Sequence, residues 1–300
     1  MPKLTQISPI QAGFLFAFGS ASLFAIRPIF VKLIYAQGVD PTTLIAFRML
    51  FSLPIFIALL VFFLRDPSRR EKLTMRNICA ISAVGLLGYY ASSFLDLLGL
   101  QYVTAQLGRM ILYAYPTFVV ILGACFFKKP ITLRTIIALV VTYLGVAIIF
   151  GHDLVVFGDN VILGGAYILA CGLIFSFYLL FSKSLINEVG SRVFTCIALI
   201  AASIGILTHY AITHSITTPE INATGLWLTL CIAIFCTVIP TFFTTAAVAR
   251  IGADRTGIIA MVGPAFTSVF AVLILSEAFT LYHLAGIVIS IFGVANLKRT

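Results

Sequence analysis

The sequence predicts an all-α membrane protein: ten transmembrane helices in two inverted five-helix repeats. Three observations predict it. The 300 residues are 61% hydrophobic and 10% charged, with a mean hydropathy of +1.13. The apolar residues gather into runs of membrane-spanning length, and the chain resembles itself at an offset of 148 residues.

Composition comes first. A soluble domain is about 45–50% apolar and about 25% charged. A water-facing surface cannot be built from so few charges, so the apolar side chains face lipid. Crossing an oily core of about 30 Å takes roughly 20 residues of helix. Runs of that kind fall at 10–36, 43–64, 77–99, 102–126, 133–150, 161–182, 193–213, 225–249, 256–276 and 280–297. Lipid offers backbone groups no hydrogen-bond partners, which favours helices. A β-barrel would read as alternating segments of about ten residues, whereas Ile136 to Phe150 is apolar all round. The run from Pro9 to Ala36 is longer than a signal-peptide core and lacks a small-residue cleavage site after it. It reads as the first span.

The basic residues predict orientation. With the N-terminus inside, the inner connections hold Lys3, Arg65, Arg69, Arg70, Lys72, Arg76, Lys128, Lys129, Arg134, Lys183, Arg192, Arg250, Arg255, Lys298 and Arg299. The outer ones hold Lys32 alone. Both termini are therefore expected in the cytoplasm. The short loops and the absence of organelle signals point to a bacterial inner membrane. The net charge of +9 is scattered over short loops rather than gathered on one face, which argues against nucleic-acid binding.

The internal repeat predicts architecture. Residues 105–149 align without a gap on 253–297. Pro116 meets Pro264, and Gly145-Val146-Ala147 meets Gly293-Val294-Ala295. Five helices per half is an odd number, so the second half enters the membrane from the opposite side. The halves are expected at 1–150 and 151–300. Inverted repeats are a common transporter plan, with the substrate site between the halves.

Several motifs carry a family resemblance. They are Ala25-Ile-Arg-Pro-Ile-Phe-Val-Lys32, Ala46-Phe-Arg48, Gly99-Leu-Gln-Tyr-Val-Thr-Ala105 and Tyr115-Pro116 in the first half. In the second they are Gly263-Pro264, Leu275-Ser-Glu277 and Gly286 through Gly293-Val294. In combination the chain resembles the drug/metabolite transporter superfamily, EamA-type branch, over nearly its whole length. The resemblance implies a secondary carrier, often an exporter of amino acids or other small metabolites. The family often carries a glutamate in the turn after the fourth helix of each half. Here Glu277 keeps it, but the first half has Lys128-Lys129-Pro130, so a gating role for that first glutamate does not carry over.

A charge inside the bilayer is costly and marks a candidate functional residue. Arg27, Arg48, Asp96 and Arg109 lie inside spans, all at depths in the outer half. Helical spacing puts Gln106, Arg109, Tyr113 and Pro116 on one face, and Tyr89, Ser92, Ser93 and Asp96 on another. Ser20 shares a face with Arg27, and Thr237, Thr241, Thr244 and Thr245 form a hydroxyl stripe. Such stripes read as walls of a wet cavity or as packing between helices. Arginine suits a carboxylate, because its planar fork makes two parallel hydrogen bonds. The expected substrate is a small anionic or zwitterionic molecule. Arg27 or Arg109 would bind its anionic group, and Asp96 would orient an arginine or take an ammonium. Gln106, Tyr113, Tyr89 and Thr241 complete the candidate lining. Arg48, Pro116, Pro264 and Glu277 are candidate structural or gating residues. Pro28, Pro54, Pro116, Pro240 and Pro264 are each expected to bend a helix. Asp96 and Glu277 are the acids placed to carry a proton, and an arginine beside Asp96 would oppose protonation.

Other chemistry is sparse. Cys79, Cys125, Cys171, Cys196, Cys231 and Cys236 form no C-x-x-C pair, and His152, His209, His214 and His283 form no ligand motif. No phosphate-binding loop occurs, so no cofactor or metal is expected. An intramembrane lipid-modifying enzyme and a non-transporting membrane subunit are the competing classes. An enzyme needs acids and histidines clustered near a headgroup interface, whereas a carrier needs a central cavity lined by spans one, three, four, six, eight and nine. The chain is expected as a monomer or homodimer in a lipid bilayer.

Overall fold

The computed structural model describes residues 8–71, 73–128, 130–215, 221–260 and 262–297. Lys3, Lys72, Lys129, Lys298 and Arg299, used above for orientation, lie outside the described residues. Among the described residues, eight helices are long and apolar enough to cross a membrane. They are α1 (Pro9–Tyr35), α2 (Pro41–Phe63), α3 (Met75–Leu100), α4 (Ala105–Phe126), α5 (Leu133–Phe157), α6 (Asn160–Val189), α7 (Ser191–Thr213) and α8 (Ala223–Gly252). Two shorter apolar helices follow, α9 (Gly263–Leu275) and α10 (Leu281–Leu297). The protein is an all-α membrane protein.

Local chemistry sets the helix ends. Asp40 accepts from the backbone N–H groups of Thr42 and Thr43 at 2.7 and 3.1 Å. Thr74, Thr104, Thr132 and Asn222 each accept from the backbone N–H three residues on. These satisfy N–H groups that the first turn leaves unpaired. Two sequence boundaries move. α5 extends to Phe157, because the apolar run continues past the interruption at Gly151-His152-Asp153. The expected ninth span is split: the helix that bends at Gly252 (φ 83°) continues to Ala260, and a new helix starts at Gly263 with Pro264 in its first turn.

Element bounds recur at the 148-residue offset. Met75–Gly85 corresponds to Ala223–Ala233, and π-helical turns follow each, starting at Leu86 and Ile234. Tyr115–Phe127 corresponds to Gly263–Leu275. Both end on a left-handed residue, Lys128 (φ 51°) and Ser276 (φ 55°). Among the described non-glycine residues, these two alone have positive φ. Packing follows the same pairing, with α1 against α8, α6 against α3, α2 against α7 and α5 against α10.

The α5–α10 contact is close in backbone terms. A Cβ on Gly145 would fall 2.5 Å from the Gly286 carbonyl oxygen, and one on Gly293 would fall 2.6 Å from the Thr142 nitrogen. The Ser290 hydroxyl donates to the Thr142 carbonyl at 3.1 Å. Small residues let helices approach closely, which matters where lipid supplies no hydrophobic drive for helix pairing.

The prolines divide into two kinds. Pro28, Pro116 and Pro264 stand in the first turn of a helix segment after a break. Pro54 lies inside α2, and Pro240 follows the π turn of α8.

Candidate functional site

The site begins with the break in α1. In an α-helix the N–H of residue 28 would bond to the carbonyl of residue 24. Pro28 has no N–H, so the chain turns at Ile26 and restarts at Arg27. The Ile29 N–H bonds to the Ile26 carbonyl at 3.1 Å instead of to Ala25. The carbonyls of Phe24 and Ala25 are thereby free for other donors. Arg109 of α4 donates through a terminal guanidinium nitrogen to the Phe24 carbonyl. Its Nε lies 3.5 Å from Thr267 Oγ1 of α9, and Thr267 Oγ1 donates to the Ala25 carbonyl at 2.9 Å.

The same device operates at α9. Pro264 denies an N–H to the Ala260 carbonyl, and the Tyr113 hydroxyl donates to that carbonyl. Arg109 and Tyr113, one turn apart on α4, thus occupy carbonyls that prolines expose on two other helices.

Arg27 and Asp96 form an ion pair at 3.0 Å, with side chains 19% and 11% exposed. Arg48 is buried and lies within electrostatic reach of both. The Nε atoms of Arg27 and Arg48 are buried and unpartnered. Arg27, Pro28, Asp96, Leu100, Gly108, Arg109 and Leu112 enclose a cavity of about 10 Å³, room for roughly one water. Three arginines and one aspartate leave an excess of two positive charges in a poorly hydrated layer. That arrangement attracts a carboxylate more strongly than it would in water.

Glu277 lies at a second place. It accepts from the backbone N–H of Ala105 at 2.8 Å and of Gln106 at 3.4 Å, and from Gln106 Nε2 at 3.3 Å. It caps the N-terminus of α4, where the helix dipole favours an anion. Gln106 also donates to the Ala278 carbonyl at 3.2 Å.

A family model decides the identity at this point: that of the EamA-like transporter family matches residues 11–151 and again 162–297. The chain belongs to the EamA-like transporter family. A relative from Bacillus subtilis (strain 168), "Uncharacterized transporter YcbK", is 27% identical over 289 residues, covering 94% of this chain and 91% of the relative. An "Uncharacterized transporter" from Clostridium kluyveri is 23% identical over 288 residues, covering 95% and 92%. A solved structure titled "Crystal structure of protein" superposes with a TM-score of 0.66 at 15% identity, covering 95% of each chain. At that identity the likeness establishes the fold. The EamA-type assignment made from the motifs is therefore correct, and the protein is a membrane transporter.

Within this EamA-type chain, the structure gathers Arg27, Arg48, Asp96 and Arg109 around the α1 break and sets Tyr113 one turn away. The other candidates fall elsewhere. Gln106 faces Glu277. The Tyr89 hydroxyl accepts from Tyr178 at 3.0 Å, beside an apolar cluster that includes Phe194. Thr241 donates to the Thr237 carbonyl at 2.6 Å, and Thr245 to the Thr241 carbonyl at 2.9 Å. The stripe hydroxyls thus bond mainly within α8, although Thr244 meets Ser20 of α1 at 2.6 Å. A larger apolar groove, about 520 Å³, lies on α4 and α5 between Val120, Ile136 and Tyr143. Sequence reading missed one cluster: His152, Asp153 and His283 converge, although His283 is far along the chain. Thr267 was missed too, because a hydroxyl in a span carries no signal of its partner.

Proposed function

We propose that the protein is a secondary carrier that exports small carboxylate-bearing metabolites, amino acids among them, by alternating access between two inverted repeats. The observation that carries this reading is the Arg27–Asp96 pair at a helix break, with a second, unpaired arginine at hand. Discontinuous helices with exposed backbone polar groups are a recurrent basis of substrate sites in carriers. Arg27 is the residue to bind the carboxylate, since its Nε is unpartnered. Asp96 orients Arg27 or takes a substrate ammonium. Arg109 positions the break through Phe24. Arg48 supplies charge.

The domain reading is two repeats, 1–150 and 151–300, and the recurrence of helix bounds at the 148-residue offset supports it. The basic residues of the connections support cytoplasmic termini in a bacterial inner membrane. The function is transport without catalysis. The charged cavity has room for about one water, so a metabolite requires the layer to open, as an alternating cycle provides.

The test is a thermal-unfolding screen of amino acids, organic acids, sugars and nucleotide derivatives, followed by efflux from proteoliposomes. A ligand at 100 times its Kd stabilises by about 2.7 kcal/mol. Carboxylate-bearing compounds are expected to stabilise the wild type and not Arg27→Ala. Stabilisation by uncharged compounds alone, or equal stabilisation of Arg27→Ala, overturns the reading.

A further inference from the structure

The ends of α5 and α10 bring three ligand-type side chains together outside the arginine layer. Asp153 Oδ1 lies 3.1 Å from His152 Nδ1 and 3.5 Å from His283 Nε2. One ligand atom from each of the three residues lies within 4.8 Å of the others. A tetrahedral metal with bonds of about 2.0–2.1 Å holds its ligand atoms roughly 3.3–3.4 Å apart. The two distances from Asp153 bracket that value.

The surroundings orient these groups as a metal site requires. Thr104 Oγ1 donates to Asp153 Oδ2 at 2.8 Å, which leaves Oδ1 turned toward both imidazoles. Thr280 Oγ1 lies 2.9 Å from His283 Nδ1, the nitrogen remote from Asp153. A partner on the far ring nitrogen holds the ring orientation of metal-binding histidines. Asp153 and His283 are almost fully buried, at 1% and 3% side-chain exposure, while His152 is 17% exposed and gives a way in. The ring of Tyr282 lies over His152 and that of Phe279 beside His283, so the chamber is walled by aromatics.

We propose that His152, Asp153 and His283 bind a divalent transition-metal ion of the zinc class, leaving one coordination position open. Imidazole and carboxylate ligands suit such an ion. Binding through Nε2 uses the His283 tautomer that carries its proton on Nδ1, where Thr280 Oγ1 at 2.9 Å accepts it; the Thr280 backbone N–H, 3.3 Å from the same nitrogen, has to turn aside. The bound ion would bridge α5 and α10 and, through Thr104, the cap of α4. This site differs from the expectation of no metal drawn from the sequence, because no local spacing connects residue 152 to residue 283. It is independent of the carboxylate reading above.

The experiment uses the full-length, untagged protein in detergent, stripped with chelator and then incubated with zinc chloride. Free metal is removed and retained zinc is measured by elemental analysis. A parallel sample with cobalt(II) is read by visible absorption, since tetrahedral cobalt absorbs far more strongly than octahedral. One equivalent per chain and an intense cobalt band are expected. His283→Ala should lose both. His152→Ala, at the exposed ligand and thus mild in its effect on folding, should weaken binding at least tenfold. Thr104→Val should weaken it about tenfold through loss of carboxylate orientation. Wild type that retains no zinc overturns the proposal. Equal retention by His152→Ala also overturns it and assigns the metal to other residues, such as the exposed Cys79 or Cys125.

Discussion

Arg109 donates a hydrogen bond from its guanidinium to the backbone carbonyl of Phe24, the group that Pro28 leaves without its helical partner. The charge therefore serves the backbone of another helix. Removing it strands a backbone carbonyl inside a membrane span, where lipid offers no partner, and the Thr267 contact at once. An unsatisfied buried polar group costs about 1–3 kcal/mol. Arg109→Ala should lower unfolding stability by that amount, and Arg109→Lys should restore little, since a point ammonium does not reproduce the guanidinium fork. Denaturant unfolding of the purified protein checks both.

Tyr113 and Pro264 form a testable pair. Tyr113→Phe removes the donor to Ala260 and should cost about 1–3 kcal/mol. Pro264→Ala returns a backbone N–H to the same carbonyl. The double variant should therefore lose less than the two single changes together. A double-mutant cycle measures the difference, and additive losses would contradict the pairing.

The ion pair in the arginine layer should show the same logic. Asp96→Asn leaves Arg27 uncompensated beside Arg48 and Arg109. Breaking one partner of a buried pair costs more than replacing both. Asp96→Asn should be more destabilising than Asp96→Asn combined with Arg27→Gln, and it should abolish transport in proteoliposomes.

Glu277 should matter by its charge as well as its shape. Loss of an N-cap costs about 1 kcal/mol. Glu277→Gln retains acceptor atoms and should lose less than Glu277→Ala. Glu277→Lys sets a cation at the positive end of α4 and should lose most. Thermal unfolding of the three variants gives the order.

Asp40, outside the membrane spans, predicts a pH dependence. Burial tends to raise its pKa, but hydrogen bonds from Thr43 and Thr42 and the nearby His214 outweigh it and hold the carboxyl below its usual value. A depressed folded pKa contributes stability that is complete above the unfolded pKa, about 3.9. It is lost as pH falls through the folded value. Asp40→Ala should cost about 1 kcal/mol near neutrality, and its difference from wild type should shrink as pH falls below about 4.

Much of the fold was legible because the properties that reveal it are local. Each span announces itself by its own composition, and Lys128 and Ser276 sit at matched positions because the repeat is a property of residue order. The four charges inside spans were legible as well, since any charge in an apolar run is conspicuous. The relation of Glu277 to Ala105 was not legible, although the departure at Lys128-Lys129 drew notice. Thr241 and Tyr89 show the limit of face arguments. A shared helical face says what could line a cavity, while a hydroxyl in lipid can also turn back to its own helix, as Thr241 does.

The sequence by itself determined the class, the spans, the 148-residue offset and the residues whose burial would be costly. Tertiary structure alone decided that Arg109 meets Phe24, that Tyr113 meets Ala260, and that His152 and Asp153 meet His283. The physical reason is that a span's propensity depends on residues within one helix, whereas a buried polar atom's partner depends on how neighbouring helices are rotated and registered. Pro28 and Pro264 state that a carbonyl is free, and only packing selects the donor that reaches it.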